Sequence, residues 1–148
     1  MAGIEGQPRT PPPRAVIVHA AAEVAAVRAL AAGRPVVFLS APGVAGYLGV
    51  LGFRALLEAG GGFAEGMLDA ADAPGHALAA LRGGFRAVVL APEVPAFPAL
   101  AALFAAEGAA LWPAAPPALD LARVNLAKPQ GRRHLARWLG LPGAEEMV

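Results

Sequence analysis

Two carboxylates and an imidazole fall within one short stretch, Leu68-Asp69-Ala70-Ala71-Asp72-Ala73-Pro74-Gly75-His76. Gathered where a strand gives way to a helix, such side chains can exchange a proton with a bound substrate, which makes Asp72 and His76 the candidate catalytic pair. Asp69 and Gly75 then join the candidate ligand-binding groups. The same stretch has a purely structural reading, with Asp72 as the N-cap of a helix, Pro74 in its first turn and His76 following on. Both readings stay open at this point.

A second turn, Ser40-Ala41-Pro42-Gly43-Val44-Ala45-Gly46, sits at another predicted strand-to-helix junction. Backbone N–H groups exposed there would face the carboxyl edge of a sheet and suit an anion, so Ser40, Gly43 and Gly46 complete the candidate ligand-binding set. The spacing resembles a degraded dinucleotide fingerprint with Ala41 where the first glycine belongs. Structurally, Ser40 would cap the helix and Pro42 would start it. No G-x-S-x-G elbow surrounds Ser40 and no Walker lysine follows either turn, which argues against serine hydrolase and P-loop chemistry.

His19 and Glu93 follow other predicted strands and belong to the same rim. None of these residues has a recognised metal-ligand spacing, and the absence of cysteine removes disulfides, thiolate metal sites and a cysteine nucleophile. Arg123, Lys128, Arg132, Arg133, Arg137 and His134 form a basic C-terminal cluster. It suits either phosphate or a solvated helix face whose Leu135 and Trp138 pack inward.

The elements that must position these residues alternate. Short apolar runs predict five strands, at residues 15–18, 36–39, 66–68, 87–90 and 109–112. Alanine- and leucine-rich stretches predict helices at 23–32, 45–59, 74–82 and 95–107, and a further short helix near the C-terminus. The result is an α/β fold with an open, mainly parallel five-stranded sheet and helices on both faces, flavodoxin-like or Rossmann-like. A half-barrel that pairs with a second copy is the alternative. The segment PAAPPALDLARV reads as an extended surface connection.

The strand followed by LSAPGVAGYLG, then LDAADAPG and ALRGG, resembles an uncharacterised group of short bacterial α/β proteins with S-x-P-G and D-x-P-G strand-to-helix turns. The likeness covers about half the chain. It implies the fold and attaches no activity.

A chain of 148 residues fits one domain, here expected at 14–125, with a disordered tail at 1–13 and a basic helix at 126–148 docked upon it. The net charge of +1 gives no whole-molecule attraction to nucleic acid or anionic lipid, so nucleic acid is not expected as a partner. Hydrophobic residues make up 57%, yet glycines and the turn at Ser40 interrupt the longest uncharged run, Pro35 to Phe53, which predicts no membrane span. MAGIEGQPRTPPPR has no apolar run of signal-peptide length, and a cytoplasmic protein is expected. The functional expectation is binding of a small anionic metabolite at the carboxyl edge of the sheet, with acid–base catalysis by Asp72 and His76 as its catalytic form. A non-enzymatic interaction or oligomerisation module, a homo-oligomer among the options, is the competing expectation. The sequence names no cofactor.

Overall fold

Short runs of valine, phenylalanine and leucine become strands here, while longer alanine- and leucine-rich runs become helices. The computed structural model describes residues 13–142. Within them lie β1 (Arg14–Ile17), α1 (Ala21–Ala31), β2 (Val36–Leu39), α2 (Val50–Gly60), β3 (Gly66–Asp69) and α3 (Pro74–Arg82). These are followed by β4 (Ala87–Val89), α4 (Phe97–Ala106), β5 (Ala110–Trp112), β6 (Ala118–Asp120) and α5 (Pro129–Trp138). All the strands are parallel, in the order β5-β4-β3-β2-β1-β6.

The parallel α/β class agrees with the sequence reading, but the sheet has six strands rather than five. The additional strand lies inside the segment taken for an extended connection. Three residues are too few to register as a periodicity, and what makes them a strand is long-range pairing with β1, Ala15 beside Ala118 and Ile17 beside Asp120.

The placement of the helices also differs from expectation. From β1 to β5 every crossover steps the same way across the sheet, and right-handed connections then put the intervening helices on one face. Packing agrees. Val24 and Val27 of α1, Phe53 and Leu57 of α2, Ala77 and Ala80 of α3, Phe104 of α4 and Leu135 of α5 share one core with Val16, Phe38, Leu68 and Val88. The other face of the sheet forms a separate cluster in which Leu39, Met67 and Val89 pack with Ile17, Val37, Ala87 and Ala118, all of them strand residues.

Curvature buries that second face. Residues 113–117 link β5 to β6, and the step from Trp112 to Ala118 reaches about 22 Å at full extension. A flat sheet would hold these two edge strands about 24 Å apart, before the return along the strand direction is added. The sheet must therefore curl until its edges approach, leaving the helices on the convex side and the Leu39–Met67–Val89 cluster in the concavity. Apolar character on both faces of the strands is thus satisfied without a second helical layer.

Local chemistry moves some boundaries. The helix expected from Ala45 begins at Val50, after a 3-10 turn at Val44–Gly46, because Gly49 adopts φ 83° and interrupts the right-handed path. The helix expected from Pro95 begins at Phe97. Apart from Pro13, the tail expected to be disordered lies outside the described residues, as do residues 143–148 of the C-terminal segment. No helix among the described residues is long and apolar enough to cross a membrane.

Helix α5 completes the convex core. Leu135 and Ala136 are buried, and the Trp138 indole Nε1 donates to the Ala15 carbonyl at 2.8 Å. The Arg14 guanidinium lies 5.5 Å from the same ring. Gly131 lets the helix approach closely, since a side chain there would collide with the Asn125 backbone. Trp138→Ala should lower stability by about 3 kcal/mol, combining lost packing with a lost hydrogen bond, whereas Trp138→Phe should cost about 1 kcal/mol. Urea denaturation of the two variants measures the difference.

Candidate functional site

In an open parallel sheet the carboxyl ends of the strands collect polar side chains. Ser40, directly after β2, is fully buried. Its hydroxyl accepts the Asp69 amide at 2.9 Å and donates to the Ala41 carbonyl at 3.0 Å. The Gly43 amide donates to the Asp69 carbonyl at 3.0 Å. Asp69, 7% exposed, accepts the Ala71 amide on Oδ1 at 2.9 Å, which closes an Asx turn through Ala71 at φ 55°. The two turns singled out by sequence are adjacent, and their polar groups bind each other. Gly43 sits at φ 72°, a conformation that favours glycine.

Neither Ser40 nor Asp72 caps a helix. The residue at the N-cap of α3 is Ala73, without a side-chain cap, and Asp72 is exposed with no hydrogen bond to any described residue. Asp69 supplies the turn chemistry expected of Asp72. His76 is half-buried in the first turn of α3, and its Cε1 would lie 3.9 Å from a Cβ placed on Gly46. Gly75 is exposed on the same turn. The structure brings Asp69, Gly43, Gly46 and His76 into one neighbourhood, but no hydrogen bond joins Asp72 to His76.

A bonded acid–base pair does occur two strands away. His19, after β1, and Asp120, at the end of β6, meet with His19 Nε2 at 2.7 Å from Asp120 Oδ1. The His19 amide donates to Glu23 Oε1 at 2.6 Å, which ties the loop to the first turn of α1. The Ala122 amide donates to Asp120 Oδ1 at 3.0 Å. Alternation puts both side chains on the concave side, because Ile17, paired with Asp120 and two residues before His19, belongs to the concave cluster. About a third of each side chain is exposed.

Partial burial pushes the Asp120 carboxyl up. The hydrogen bonds from His19 and the Ala122 amide, with the positive charges of His19 and Arg123, outweigh that effect and hold its pKa below the ordinary 3.8. With Asp120 accepting from Nε2–H, the neutral ring presents Nδ1 as its free lone pair. The sequence reading put His19 on this rim and missed Asp120. The alternation Leu119-Asp120-Leu121 was its available signal.

Elsewhere, Arg132 of the basic cluster folds onto the Leu126 carbonyl at 3.0 Å. Glu93 is exposed after β4. Among the described residues no group of three or more His, Asp or Glu side chains is placed to hold a metal ion. Grooves of about 290 Å³ between α1 and α5 and about 380 Å³ over α2 and α3 lie on the helical side. Comparison with protein-family models, curated proteins and solved structures gives no match.

Two measurements separate the structural turn from the acid–base pair. Ser40→Ala leaves the buried Asp69 amide without its acceptor and should destabilise the fold by about 2 kcal/mol in urea denaturation. Because the folded-state pKa of Asp120 is depressed, its stabilising contribution is present above pH 3.8 and fades as pH falls through the lower folded value. Asp120→Asn should therefore flatten the acid limb of the stability profile. An unchanged slope below pH 4 would contradict the ion pair.

Proposed function

We propose that the protein binds a small metabolite bearing one acidic group at the carboxyl ends of β1 and β6, with His19 as its acid–base group held by Asp120. The observation that carries this reading is the 2.7 Å His19–Asp120 contact at the place where the strand order breaks. From β1 the chain proceeds through β2 to β5 on one side, while β6 returns to the other. In parallel α/β sheets, ligands bind outside the carboxyl ends of the strands, which is where this pair lies.

The chemistry follows from the roles of the two side chains. Asp120 fixes the ring with its Nε2–H bond, leaving Nδ1 to take a proton from a substrate and return it. The carboxylate stabilises the imidazolium formed in between. Arg123 and the N-terminus of α1 favour an acidic group on the ligand. Asp120 and Glu23 oppose a densely charged one, so a hydroxylated organic acid fits better than a polyphosphate.

A thermal-shift screen of organic acids, sugar phosphates and nucleotides tests the reading. A ligand specific to the native state should raise the melting temperature of the unmodified chain. His19→Gln should abolish that rise, and any turnover should fall about a hundredfold or more. A ligand whose shift survives both His19→Gln and Asp120→Asn would place binding elsewhere and defeat the proposal.

A further inference from the structure

Among the described residues five large apolar side chains are exposed, and three of them are neighbours. Tyr47 is 72% exposed, Leu48 43% and Leu51 70%. They occupy the turn before α2 and its first residues. Beside them runs the groove of about 380 Å³ lined by Val50, Leu51, Gly75, Leu78, Ala79 and Arg82, with Gly83 at its end. One face thus carries both protruding apolar side chains and a recess whose floor is partly glycine and alanine.

Charge identifies the occupant. Asp72 stands just before α3 and Arg82 ends it, and both are exposed without a hydrogen bond or ion pair to any described residue. The helix between them, Pro74 to Arg82, is about 12 Å long. If a second α3 crosses antiparallel about a two-fold axis, each Asp72 comes over the other copy's Arg82, and both pairs form at once. The same operation carries Tyr47 and Leu51 of each copy toward the other's groove. A surface with its own protrusions, recess and opposite charges is self-complementary, as an isologous interface requires.

We propose that a second copy of this chain docks through the α2–α3 face, with Tyr47 and Leu51 as apolar anchors and Asp72–Arg82′ as the paired charges that set the antiparallel register. The interface lies on the convex side and does not depend on the reading of the His19–Asp120 pair.

Sedimentation equilibrium of the full chain tests this from about 1 to 100 µM, the range in which a modest interface dissociates. The unmodified chain should be dimeric at the upper end. Leu51→Asp should weaken association about a hundredfold, and being largely solvent-exposed it should leave circular dichroism and melting behaviour otherwise native. Asp72→Arg and Arg82→Asp should each weaken the dimer, and the double exchange should restore it. A chain monomeric throughout the range overturns the proposal, as does a dimer indifferent to Leu51→Asp. Failure of the double exchange to restore association overturns the antiparallel register.

Discussion

Everything about this sheet follows from the shortness of one connection. Five residues join β5 to β6, strands that are first and last in the sheet. No helix fits in that length, and an extended chain cannot cross a flat six-stranded sheet. Curling resolves the conflict. It also explains how strands with valine, leucine and methionine on both faces avoid exposing one of them, since the concave side chains pack on each other while the helices cover the convex side. The prolines at 113, 116 and 117 suit the link, because they stiffen it and offer no N–H to either sheet edge.

Local information in the sequence reached most of the elements and little of their assembly. Strands β1 to β5 and the first four helices among the described residues are legible through apolar runs, most of them with a glycine or proline beside them, whereas α5 is legible through the spacing of Leu135, Trp138 and Leu139. β6 has no such signature. Its residues Ala118–Asp120 become a strand through β1, a partner more than a hundred positions away, and no window of sequence contains that pairing. The face chosen by the helices was hidden for a related reason. Apolar alternation states that both faces are buried without stating by what.

The candidate site shows the same division. Asp69, Asp72 and His76 attract attention because they are close in sequence, and the turn they form is real. Asp69 turns its hydrogen bonds inward, while Asp72 is exposed and bonds no described residue. Ser40, Gly43 and Asp69 satisfy one another, and such buried polar groups hold two loops in register because each would be costly to leave unpaired. His19 and Asp120 are distant in sequence and meet only when β6 joins β1. Their bond engages one ring nitrogen, and the side chains stay partly exposed. Sequence proximity brought Asp69 and its turn into view, and strand pairing across the sheet brought His19 to Asp120.

The curl also separates the two surfaces considered above. The His19–Asp120 pair belongs to the ends of β1 and β6 on the concave side. The apolar face with Tyr47 and Leu51 belongs to α2 and α3, which pack over the convex side and follow β2 and β3. A contact made through α3 therefore covers convex surface and leaves the ends of β1 and β6 open. The Ser40–Asp69 tie holds the end of β2 to the end of β3, beside the Asp69 turn that leads into α3. Loosening that tie would shift the helical face first. The ends of β1 and β6, held by their own ladder and by the His19–Asp120 bond, would follow only if the sheet itself opened.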